Sequence, residues 1–85
     1  MTQEAQMQLA AKLMKLSMEQ VQEYGGMIPG SGAYYLRVPQ RGGGSLIVAP
    51  DGTVLYAGSA IGFDEHYQAF QKGERTDRPF FDEQN

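Results

Sequence analysis

The 85-residue chain contains no cysteine, one histidine and no long unbroken apolar run. Without thiols there is neither a disulfide framework nor a thiolate metal site, which excludes the small secreted folds that depend on such staples. The opening segment, MTQEAQMQLAAKLMKLSMEQVQEYGG, lacks a basic leader followed by an apolar block. It reads as neither signal peptide nor membrane span, and a cytoplasmic location is the expectation. A chain this short buries a modest share of its surface, so one domain of helix on a small sheet is expected over residues 1–85.

Positive charge is also scarce where it would matter for nucleic acid. Residues 1–62 balance Glu4, Glu19, Glu23 and Asp51 against Lys12, Lys15, Arg37 and Arg41. Residues 63–85 set Asp64, Glu65, Glu74, Asp77, Asp82 and Glu83 against Lys72, Arg75 and Arg78, so the net charge of −3 arises wholly there. Phosphate backbones demand clustered cations, which argues against a nucleic-acid partner; an electropositive protein cleft is the better match.

What is present reads as an α+β domain. Thr2 caps a helix predicted over 2–24, with Met7, Ala10, Ala11, Met14, Met18 and Val21 on one face. Gly25 and Gly26 supply a left-handed stop and Pro29 prevents resumption. Leu9 and Leu16 lie on the shoulder of the stripe, next to Leu13. Either a loop or the C-terminal segment covers them, or they pair with a partner helix or a second copy.

Three strands of an antiparallel meander are predicted at 34–38, 45–49 and 53–57. In AYYLRV the residues Tyr34, Leu36 and Val38 face one way, and Tyr35 and Arg37 the other. Between the last two strands, PDG fits a type I turn with Gly52 left-handed. A short helix over 64–72 follows, with Phe63, Tyr67 and Phe70 on one face and Gly73 ending it. The tail, 74–85, is polar except for Phe80 and Phe81, and docking of this pair on the core is the expectation.

Little in the chain advertises catalysis. Neither GGMIPGSG nor RGGGS carries the lysine of a phosphate loop. No serine stands in a G-x-S-x-G elbow, and His66 with scattered carboxylates falls short of a zinc pattern. His66, flanked by Asp64 and Glu65, reads as a surface histidine, with a partner contact or a pH-sensitive role as the alternative. No cofactor, no metal and no enzymatic activity are expected. The glycines at 42–44 either turn the chain or let Arg41 and bare backbone enter a partner's cleft.

The segment GGGSLIVAPDGTVLYAGSAIGFDEHYQAFQKG, residues 42–73, resembles the small immunity proteins of bacterial polymorphic toxin systems, including the YrhB-like group. Gly44, Leu46, Ile47, Val48, Asp51, Gly52, Val54, Gly58 and Ser59 carry the likeness. The resemblance implies a non-enzymatic protein that binds a cognate toxin one to one and covers its active site. Toxins of this kind act on nucleic acids, nucleotides or NAD, and an acidic binder suits their clefts. Gln40 and Arg41 in the glycine loop, with Phe63, Asp64, Glu65 and His66 at the start of the second helix, are the candidate contacts. A homodimeric structural or regulatory module, pairing through Leu9, Leu13 and Leu16, is the alternative.

Overall fold

A computed structural model describes residues 1–40 and 42–82. The chain is α+β, with four helices and a four-stranded antiparallel sheet among the described residues. Helices α1 (Gln3–Met14) and α2 (Met18–Tyr24) precede strands β1 (Gly25–Met27), β2 (Tyr34–Arg37), β3 (Ser45–Val48) and β4 (Val54–Ala57). Helix α3 (Phe63–Gln71) and the short α4 (Pro79–Asp82) complete the order. The strands lie in sequence order, so every connection within the sheet is a hairpin.

The single helix expected over 2–24 is two helices. Lys15 adopts a left-handed conformation (φ 58°), and the Leu16 amide closes back on the Ala11 carbonyl at 2.9 Å, a Schellman-type end without glycine. Ser17 restarts the chain with a capping box: its hydroxyl accepts from the Gln20 amide at 3.1 Å, and the Gln20 side chain accepts from the Ser17 amide at 3.0 Å. The break turns α2 so that Val21 is fully buried and its carbonyl accepts the buried Tyr34 hydroxyl at 2.8 Å. Tyr34 thereby satisfies one of the last-turn carbonyls of α2, which no helical amide can reach.

Gly25 is not a left-handed stop. Its φ of −135° is extended, and it begins a fourth strand that pairs with Leu36 of β2. What requires glycine here is space, since a Cβ would lie 2.7 Å from the Tyr34 ring and 2.7 Å from the Tyr35 carbonyl oxygen. The β3–β4 hairpin has the expected form: the Gly52 amide closes on the Ala49 carbonyl at 3.0 Å, and Gly52 has φ 92°.

All four residues of β3 are buried, so the sheet is covered on both faces rather than one. On the first face Leu36, Leu46, Val48 and Val54 pack with Met7, Ala10 and Val21 of the N-terminal helices. Leu9, Leu13 and Leu16 are partly buried against this cluster. Gln6, 1% exposed, pins α1 to the sheet by donating to the Gly32 carbonyl at 2.7 Å and the Val48 carbonyl at 3.1 Å. On the second face Ala33, Ile47, Ala49 and Leu55 pack with Ile28 and with Phe70 of α3.

The segment after α3 crosses the outer edge of β4 and joins the two faces. The Thr76 amide donates to the Val54 carbonyl at 2.8 Å, and its hydroxyl accepts from the Tyr56 amide at 2.9 Å. Arg75 holds the crossing in place, donating to Thr53 Oγ1 at 2.8 Å and to the Phe70 carbonyl at 2.9 Å, with its guanidinium 4.0 Å from the centre of the Phe70 ring. Helix α4 then delivers Phe81, 5% exposed, into the first core, with Phe80 and Tyr56 packed beside it at a ring separation of 5.1 Å. The docking expected for Phe80 and Phe81 is therefore observed, while positions 83–85 of the expected tail lie outside the described residues.

Truncating a buried phenylalanine leaves a cavity as well as removing apolar contacts, at about 3 kcal/mol. Phe81→Ala should lower unfolding stability by about that amount, and Phe80→Ala, only partly buried, by clearly less. Urea melts of both variants measure the difference; equal and small losses would mean that the C-terminal segment does not seal the core.

Candidate functional site

The register places Arg37 opposite Ser45 and Ser45 opposite Ala57, so the β2–β3 turn and the β4–α3 loop lie at the same end of the sheet. Gln40, exposed in that turn, therefore sits at the end from which α3 sets out. Arg41 lies outside the described residues. Arg37 fastens the β4–α3 loop, donating to the Ser59 carbonyl at 3.0 Å and the Ile61 carbonyl at 3.2 Å. The first turn of α3 then presents Phe63, 38% exposed, beside exposed Asp64 and Glu65. Carboxylates at this position are favoured by the helix dipole and need no other partner.

Two of the loop glycines have a local conformational role. Gly43 closes a turn on the Gln40 carbonyl at 2.9 Å, and Gly44 (φ 74°) packs so closely that a Cβ would overlap the Tyr56 hydroxyl and lie 2.7 Å from the Ala57 carbonyl oxygen.

On the β2 side of α3, aromatic rings form a continuous run. Phe63 meets Tyr35 edge-on at 4.8 Å and stacks on Tyr67 at 5.5 Å, and Tyr67 stacks on Phe70 at 6.3 Å. Spacing of i, i+4 and i+7 brings these rings onto one helix face, and Tyr35 beneath them takes the core role rather than a free surface.

His66 departs from the expected surface position: it is 2% exposed. It occupies the same apolar side of α3, three residues after Phe63 and four before Phe70. Its Nε2 lies 2.8 Å from the Leu55 carbonyl oxygen. A carbonyl only accepts, so Nε2 carries the proton and the neutral ring leaves Nδ1 as a bare acceptor. Nδ1 is buried and has no hydrogen-bond partner among the described residues. Burial holds the imidazole pKa below its ordinary 6.5, with the Leu55 bond opposing in part. As a buried group, His66 is not itself a direct surface contact.

Beside His66 a pocket of about 220 Å³ opens between α3 and β4. Leu55, Ala57, Ile61 and Ala69 supply its apolar walls, and Glu65 and Glu74 bring two carboxylates to it. The pocket thus unites Glu65 and His66 of the sequence-predicted set, whereas Gln40, Phe63 and Asp64 stand outside its lining. Glu74 and Ile61 were not legible as site residues, because only the crossing of the β4 edge and the Arg37-held loop bring them here.

Arg37, Arg75 and Arg78 direct donors to backbone carbonyls, Arg78 reaching Gly52 at 3.2 Å, so these cations tie loops together. Asp64, Glu65 and Glu74 remain exposed. Among the described residues no group of three or more histidines and carboxylates stands close enough to hold a metal ion. No helix of the described residues is long and apolar enough to cross a membrane.

Comparison of the chain with known protein families, curated proteins and solved structures returned no match.

The buried histidine makes stability depend on pH with a definite sign. Its folded pKa lies below the unfolded value, so the unfolded chain takes up a proton first as pH falls. The stabilisation is complete above the unfolded pKa near 6.5 and is lost progressively down to the folded pKa. Glu65 and Glu74 line the same pocket. Chemical unfolding across mildly acidic pH should show wild type weakening as the medium acidifies, and His66→Gln, which keeps an N–H donor without a titrating ring, should flatten that slope. Parallel slopes would remove His66 as the origin.

Proposed function

We propose that this protein is an immunity protein: a non-catalytic binder that neutralises a toxin of the same cell, one to one, in the cytoplasm. The observation that supports this reading best is the composition of the first turn of α3, where a partly exposed aromatic ring stands beside exposed carboxylates. Phe63 supplies contact area, and Asp64 and Glu65 supply charge at the same helix end. Buried aromatic anchors ringed by polar groups are the usual source of interface energy. Gln40 extends the face along the same end of the sheet.

Enzymes that act on nucleic acids, nucleotides or NAD hold phosphate groups with Arg and Lys, so their clefts are electropositive. An acidic face approaches such a cleft faster than a neutral one, and seating it there removes the cations from substrate.

The test begins with the tagged protein and any enzyme that co-purifies with it from its own host. Enzyme activity should fall to zero at equimolar addition. Asp64→Lys/Glu65→Lys, both exposed and outside the core, should slow association by about tenfold at low salt, with the difference shrinking as salt rises. Association unchanged by the double reversal would sink the electrostatic part of the reading, and activity that persists past equimolar addition would sink neutralisation itself.

A further inference from the structure

We propose that α3 is an acid-operated flap: protons draw it off the sheet between two fixed ends, while α1, α2 and the strands stay folded. The fixed ends are visible on either side of it. Before α3, Arg37 holds the Ser59 and Ile61 carbonyls. After it, Thr76 bonds to both Val54 and Tyr56 of β4. Just inside these anchors stand Gly62 and Gly73, where a Cβ would meet nothing within 4 Å. Gly62 is the N-cap and supplies no side-chain cap bond, and Gly73 has φ 95°. Small residues at both ends of a segment are where a hinge absorbs its change of φ and ψ. The flap is also the lighter of the two covers. Phe70 is its one fully buried apolar residue in the second core, whereas Met7, Ala10 and Val21 fill the first from α1 and α2. Lifting α3 exposes Phe70 and breaks the Arg75 bond to the Phe70 carbonyl, but leaves every strand ladder intact. A segment with few buried apolar contacts opens before the whole molecule does.

His66 makes the opening respond to acid. Among the described residues it is the α3 side chain that hydrogen-bonds to a strand, its Nε2 donating to the Leu55 carbonyl at 2.8 Å. Its Nδ1 is enclosed and has no partner, so the seated helix offers an added proton neither an entrance nor an acceptor. Glu65 of α3, Tyr56 of β4 and Glu74 of the crossing segment line the adjoining recess, and Tyr35 of β2 sets its ring 5.9 Å from the imidazole. Asp64 precedes Glu65 on the helix, and β3 brings no titratable group. None of these bonds Nδ1. A seated imidazolium would be a buried charge without a partner, which is costly. On a lifted helix both ring nitrogens meet water, and the ring titrates near its ordinary 6.5. The proton therefore acts as a ligand of the lifted state alone and populates it by mass action.

Amide hydrogen exchange on the whole protein, resolved by NMR at several low denaturant concentrations, reads the opening. The Ala69 and Phe70 amides of α3 should open more readily than those of Leu46 and Ile47 in β3, and with a weaker denaturant dependence. Corrected for intrinsic exchange, the α3 opening constant should rise about thirtyfold between about pH 7.5 and pH 5. His66→Gln should leave it flat. Glu65→Gln/Glu74→Gln, both exposed, should keep the slope. Should His66→Gln fail to fold, the comparison of α3 with β3 in the wild type still decides. Opening of α3 only together with Leu46 and Ile47, or an α3 opening indifferent to pH, would overturn the proposal. So would a slope that survives His66→Gln or disappears with the two glutamates.

Discussion

Strand β3 is buried along its whole length on both faces, and the rest of the molecule follows from that constraint. A four-residue strand with Leu46 and Val48 on one side and Ser45 and Ile47 on the other cannot be satisfied by a single layer of helix. In a short chain both covers must come from few residues. The N-terminal half folds back as α1 and α2 over one face, and α3 takes the other. The chain then has to return across β4, because the first core still lacks Phe81. Arg75 and Thr76 make that return specific by bonding to the strand edge, the hairpin and the end of α3 together.

Where local chemistry decides structure, the sequence was readable. The Pro50-Asp51-Gly52 turn, the strands around it and the aromatic face of α3 all follow from short-range patterns. Legibility ended where a longer-range contact overrides a local preference. Lys15 takes a left-handed conformation that its side chain does not advertise, although Ser17 and Gln20 at capping-box spacing carry a usable signal for a new start. Strand β1 is Gly-Gly-Met, with no β-branched residue, and exists because β2 offers an edge to pair with. The contiguous run Ser45–Val48 was the clue to two-sided burial, since a strand with one wet face alternates instead.

The candidate site was half legible for a related reason. Asp64 and Glu65 suggest a solvated surface, and that holds for them but not for His66, whose spacing from Phe63 and Phe70 assigns it to the inner side of the helix. Sequence proximity and spatial role diverge by one residue along a helix because each step rotates the side chain by about 100°. Glu74 reaches the same pocket only through tertiary structure. The charge asymmetry, by contrast, could be counted directly from the residues.

The closure of β4 by Thr76 also bears on how copies of this chain meet one another. An edge strand whose outward Tyr56 amide and Val54 carbonyl are already bonded is a poorer template for a neighbouring chain. The opposite edge, β1, is three residues long and rich in glycine, so it offers a short and weakly specified ladder. Crowded copies of this protein thus meet one partly bonded margin and one brief one, and edge-to-edge sheet growth is disfavoured from both sides.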